Sequence, residues 1–154
     1  MLKYFGNDQR IIKAVALTER FFDHPTALKD IVLSRKSYEY STATPDELLH
    51  IMQLFWSGYT VTVYSETVRN WLGFRKSTPV LAYTSSSKSL TLIENNLNRS
   101  SQSIAGTLAH ELSHCSDFAN PRHSYGHGSN SSHRKENTFP YYLGYAAKAW
   151  LERI

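Results

Sequence analysis

Cysteine is almost absent: Cys115 is the only one among 154 residues. Without a second thiol there is no intramolecular disulfide, and such a chain leans toward a reducing compartment. Long apolar runs are missing as well. No stretch approaches the ~20 residues of a membrane-crossing helix, and residues 1–8 lack the apolar core of a signal peptide. The expectation is no membrane partner, with the cytoplasm slightly favoured. Basic runs and internal repeats are also lacking. The formal net charge is +4, but lysines and arginines are scattered along the chain. A nucleic-acid partner is compatible with that charge, yet no clustered basic stripe supports one. The serine cluster at 85–88 is too short to join two domains. At 41% hydrophobic residues, the chain can bury one core, so a single domain over residues 1–154 is expected.

What the chain does hold is His110-Glu111-Leu112-Ser113-His114, an H-E-x-x-H motif within a stretch that reads as helix from Ser103. Residues four apart on a helix share a face, so His110 and His114 can bind one metal ion. Glu111, turned about 100° from His110, borders that face and can reach a metal-bound water. Two neutral imidazoles suit zinc, and a carboxylate beside the water serves metal-assisted hydrolysis. The helical wheel separates the roles. Ile104, Ala105, Leu108, Leu112 and Cys115 form one apolar arc, expected to face the core. Thr107, His110 and His114 form another, with Glu111 between them.

A zinc site needs a third protein ligand. Five of the seven histidines lie between His110 and His133. The helix should end near Asn120-Pro121, and a polar loop follows. His127, flanked by Gly126 and Gly128 that let the chain fold back, is the first choice. His123 comes next, then Asp117, His133 and Glu136. Asp117, one turn beyond His114, has a second reading as acceptor of a ligand histidine's other ring proton. Cys115 reads as a small buried hydrophobe, and His50 as structural or surface.

Residues 104–128 resemble the active-site region of zincin metallopeptidases, most closely the SprT-like group, on His110, Glu111, His114 and Gly126-His127-Gly128. That resemblance implies a small zincin-like α+β domain, a bound Zn2+ and a peptide or protein substrate. Within the SprT-like group, DNA would be expected to stimulate the enzyme. Ser129-Asn130-Ser131 departs from the proline and aromatic that tend to follow in that group, and there is no cysteine-rich zinc ribbon. Metzincins are excluded, because both methionines, Met1 and Met52, precede the motif and leave no downstream Met-turn. Neither Glu136 nor Glu152 lies in a convincing glutamate-ligand motif. Cys115, following His114 directly, does not match the upstream cysteine ligand of peptide deformylases.

Elsewhere, periodicity predicts helices over 8–22, 45–56 and 141–153. Thr44-Pro45-Asp46-Glu47 supplies a strong start for the second. Strands are expected at 29–34, 60–64, 79–84 and 90–94, the last two as a hairpin. The expected fold is α+β: a mixed or antiparallel sheet packed on helices, one of which carries the motif. Either hairpin strand is a candidate edge for pairing with an extended substrate. The functional expectation is a zinc peptidase with Glu111 as general base and His110, His114 and His127 as ligands. Tyr125, Tyr141, Tyr142, His133 and Arg134 are the candidate donors to a developing oxyanion. The rivals are a zinc-binding module without turnover and a zinc hydrolase of non-peptide amides or esters.

Overall fold

Asp8 opens the first helix, its Oδ1 accepting from the Arg10 amide at 2.9 Å. In the computed structural model, which describes residues 1–127 and 135–154, this helix is α1 (Gln9–Asp23) and follows strand β1 (Leu2–Tyr4). Next come α2 (Ala27–Val32), α3 (Pro45–Gly58), β2 (Val61–Glu66), β3 (Ala82–Ser86), β4 (Ser89–Ile93), α4 (Ser101–Ala119) and α5 (Phe139–Leu151). A reciprocal cap starts α3: Thr44 Oγ1 accepts from the Glu47 amide, while Glu47 Oε2 accepts from the Thr44 amide at 2.8 Å. Two orphan amides of the first turn are satisfied in this way.

The four strands run in the order β1-β2-β4-β3. β2 is parallel to β1 and β4, and β3 is antiparallel to β4, so the sheet is mixed and β3 forms one edge. Leu2, Val61, Val63, Leu90 and Leu92 are buried on the face that meets the helices. Tyr64, on the opposite face by the alternation of strand side chains, is 55% exposed. Thr84 stands opposite Leu90 in the β3–β4 register. Facing residues of an antiparallel pair share a side of the sheet, so Thr84 also points toward the helices.

Strand expectations need correction: the one placed at 79–84 forms only as β3 (Ala82–Ser86), with 79–81 outside the strand. The apolar run Ile31-Val32-Leu33 does not form a strand but closes α2, which buries Ala27, Leu28 and Val32. A short apolar run fits either period, and tertiary packing decides between them. Here His24 Nδ1 accepts from the Ala27 amide at 3.2 Å, and the helix packs on α3 and α5. Conversely, β1 was not expected, because three residues are too few to show an alternation. Helix α5 starts at Phe139, earlier than its periodicity indicated, with Pro140 in its first turn.

Helix α4 lies at the centre, touching α5, α1, β3, α3 and β4. The expected apolar arc is buried, none of its five residues being more than 1% exposed. Gly106, Ala109, Ser113 and Ser116 are buried as well, so the helix is covered on more sides than one stripe predicts. Small side chains on those sides allow the close approach. A Cβ on Gly144 would lie 2.8 Å from the Gly106 carbonyl oxygen and 3.1 Å from His110 Cβ. Gly144→Ala is therefore expected to push α5 off α4. The added helix propensity of about 1 kcal/mol is outweighed by overpacking, for a net loss on the order of 1–2 kcal/mol. A lowered urea midpoint would register it. Among the described residues no helix is long and apolar enough to cross a membrane.

Candidate metal centre

Helix α4 carries His110 and His114 on successive turns, with their Nε2 atoms 3.2 Å apart. Two nitrogens at zinc-ligand distance from one tetrahedral centre would lie roughly 3.3 Å apart, so the pair is already spaced for a shared ion. His127 completes the group: one ligand atom from each of the three histidines lies within 4.8 Å of the others. Its ring centroid is 4.8 Å from that of His114 and 5.6 Å from that of His110. Among the described residues, no carboxylate or thiol joins this set.

The loop that delivers His127 is held by its own neighbours. Tyr125 is fully buried, its hydroxyl 2.7 Å from Ser116 Oγ and its ring edge-on to Phe139. Its amide donates to Asp117 Oδ1 at 3.3 Å. One residue earlier, the Ser124 amide donates to Thr42 Oγ1 and its carbonyl accepts from the Thr42 amide, both at 2.9 Å. Asp117 therefore anchors the loop backbone and, among the described residues, is not bonded to a histidine. Tyr125 is an anchor too, with its hydroxyl already engaged, and is removed from the candidate oxyanion donors.

Burial makes the three imidazoles poor bases. His110 is held well below the usual histidine value by desolvation, reinforced by His114 and His127 and opposed by the Pro140 backbone. Desolvation and His127 bring His114 down to about 4. His127 is lowered by desolvation and then by Lys135. All three are thus neutral near pH 7, with free lone pairs for a metal.

Glu111 is 6% exposed. Thr84 donates from Oγ1 to Glu111 Oε2 at 2.7 Å, while Oε1 lies 4.0 Å from His110 Nε2. Burial raises the carboxyl pKa, and the Thr84 hydrogen bond works against that rise. One oxygen is anchored on the edge strand and the other stands beside the histidines. Thr84 had no motif to mark it, because its role follows from strand register.

These groups line a cleft of ≈ 940 Å³, walled on one side by residues 79–84 and on the other by α4 and α5. Tyr141 lines it with its ring 4.5 Å from His110 and 5.2 Å from His127. Arg99, also in the wall, was not anticipated. It donates to Thr107 Oγ1 at 2.7 Å, Ser103 O at 3.0 Å and Asn96 O at 2.9 Å, bracing the entry to α4.

The remaining sequence candidates lie elsewhere. His123 Nε2 is 4.0 Å from Glu47 Oε1, Glu136 and His50 are exposed, and Glu152 pairs with Lys148. Tyr142 engages Ser34 Oγ at 2.6 Å with Arg35 over its ring. Cys115 is buried, its thiol pushed up to about 12 chiefly by desolvation, which agrees with a packing role. Gly128, His133 and Arg134 lie outside the described residues. Compared with known proteins, the chain matches no family model, no curated protein and no solved structure.

Proposed function

We infer that the chain is a zinc-dependent peptidase of zincin-like fold, acting on peptide or protein substrates. The observation that carries this reading is the placement of Glu111 beside three convergent, neutral histidines in an open cleft. A purely structural metal site does not require a carboxylate on the metal side of its ligands, yet Glu111 Oε1 lies 4.0 Å from the same His110 Nε2 that faces His114. An all-imidazole donor set fits zinc and disfavours calcium and magnesium, which take oxygen ligands.

His110, His114 and His127 would hold the ion. When bound, zinc supplies Lewis acidity and lowers the pKa of a coordinated water toward neutrality. Glu111, with Oε2 engaged by Thr84, accepts the proton of the attacking water and delivers it to the leaving amine. Burial makes this carboxylate a better base than an exposed glutamate. The edge strand β3, paired only with β4 among the described strands, offers main-chain groups along the cleft for an extended substrate. Of the donor candidates read from the sequence, Tyr141 is the described one that lines the cleft, and it is assigned to the developing oxyanion.

The direct test is proteolysis of an unfolded protein by purified chain of known metal content. One zinc per chain, loss of cleavage with a chelator and recovery on adding zinc are expected. Zinc without turnover would return the chain to a binding module, and cleavage confined to small amides or esters would move it to the non-peptide hydrolases.

Thr84 is a positioning residue for Glu111. Thr84→Val is expected to lower kcat by about 10- to 10²-fold through carboxylate misplacement, with KM little changed. Thr84→Ser, which keeps the hydroxyl, should restore it. Equal losses in both variants would assign Thr84 a packing role only.

A further inference from the structure

Between β2 and β3 the chain makes an excursion whose tip is ordered by its own bonds. The Asn95 side chain ties the two limbs together, donating to the carbonyls of Val68 (3.0 Å) and Lys76 (2.6 Å) and accepting from the Val68 amide (2.9 Å). Arg69 and Arg75 face each other in an antiparallel bridge. At the tip, Asn70 Oδ1 accepts from the Leu72 and Phe74 amides, each at 3.0 Å. The Asn70 amide donates to Phe74 O at 2.7 Å, and Gly73 takes φ +86° to close the turn.

Main-chain, asparagine and Arg69 contacts therefore determine this shape. The large apolar side chains at the tip take little part in the core: Trp71 is 91% exposed, Phe74 67% and Leu72 58%. Every residue from 69 to 77 is exposed. Three large apolar groups left to solvent on one short turn are the kind of exposed surface that marks an interaction site.

Charge indicates which partner. Arg75 and Lys76 lie on the limb behind the tip, Arg69 folds its guanidinium onto the tip with Nη1 donating to Gly73 O at 2.8 Å, and no Asp or Glu occurs between Glu66 and Glu94. Those two acids sit at the root, where Glu94 accepts from Thr67 and Ser65, and Glu66 from Tyr83. An aromatic and aliphatic apex flanked by cations matches the layering of an anionic bilayer, acyl boundary below and headgroups above. A nucleic-acid surface leaves Leu72 without a stacking partner.

We propose that the 69–76 turn docks this protein on membranes containing anionic lipid, with Trp71, Leu72 and Phe74 entering the interface. The expectation of no membrane partner rested on spanning length, which has no bearing on a protein that rests on the surface. Beyond the turn the chain runs into residues 79–81 of the cleft wall, so docking is built next to the candidate site without depending on its chemistry.

The test uses the full chain with vesicles of phosphatidylcholine alone or with one part in three phosphatidylserine, by co-sedimentation and tryptophan emission. Binding to the anionic vesicles, weakened by salt, is expected. A blue shift should accompany it, since Trp56 is already stacked on Phe22 and Trp150 packs against Phe21. Trp71→Phe should retain binding and lose the shift. Combined Trp71→Ser, Leu72→Ser and Phe74→Ser should reduce binding at least about 10-fold with the melting temperature unchanged. Arg75→Gln with Lys76→Gln should cost about 5-fold per charge on anionic vesicles. The proposal is overturned if wild type ignores anionic vesicles or if the triple variant binds them as wild type does. Self-association or retention of single-stranded DNA through the same three residues, without vesicle binding, overturns it equally.

Discussion

Glu111→Gln is expected to lower peptide hydrolysis by about 10²- to 10⁴-fold while the protein keeps its zinc. Glutamine matches glutamate in shape, and its amide oxygen can accept the Thr84 hydrogen bond that holds Oε2 at 2.7 Å. The ligands, the β3 contact and the packing of α4 therefore survive. Only the capacity to accept a proton is removed. Stability should hold or rise slightly, since the change takes a desolvated carboxylate out of a buried site. Metal content by plasma emission and kcat by a quenched peptide decide the matter together. Undiminished kcat would remove Glu111 as the base, and loss of zinc would make it part of the coordination.

His127→Ala has the second large effect: zinc affinity should fall by more than ~10²-fold, exceeding the cost of changing an outer-shell partner. The loop is tied down by Tyr125, Asp117 and Thr42 independently of the imidazole. The metal-free variant should therefore melt close to the metal-free wild type. His123→Ala is the matched control, because His123 sits beside Glu47 and should leave affinity unaltered. Competition with a chromogenic chelator measures both. Wild-type affinity in His127→Ala would place the third ligand elsewhere and bring His133 into contention.

Much of the site was legible because its core is local. His110, Glu111 and His114 lie within five residues of one another, so helical geometry alone relates their side chains. His127 was reachable through its flanking glycines, though His123 and the nearby acids competed with it on equal chemistry. Composition and periodicity also carried the α+β architecture and the β3–β4 hairpin. Where the reading failed, local signals were ambiguous. Ile31-Val32-Leu33 fits strand or helix, and packing on α3 and α5 made it α2. Asp117 and Tyr125 were chemically suited to the metal centre, but their contacts with each other's part of the chain were not visible in one dimension.

The sequence by itself determined the helix bearing the motif, the chemistry of its side chains and the short list of third ligands, since each depends on neighbours along the chain. Tertiary structure alone decided that His127 rather than His123 meets the pair, that Thr84 reaches Glu111 across strand register, and that Gly106 and Gly144 bring α5 against the histidine helix. It also left Trp71, Leu72 and Phe74 in solvent. The physical reason is the same in each case: hydrophobic identity and ligand type are properties of a residue, whereas burial and distance belong to pairs of segments that only the folded chain brings together.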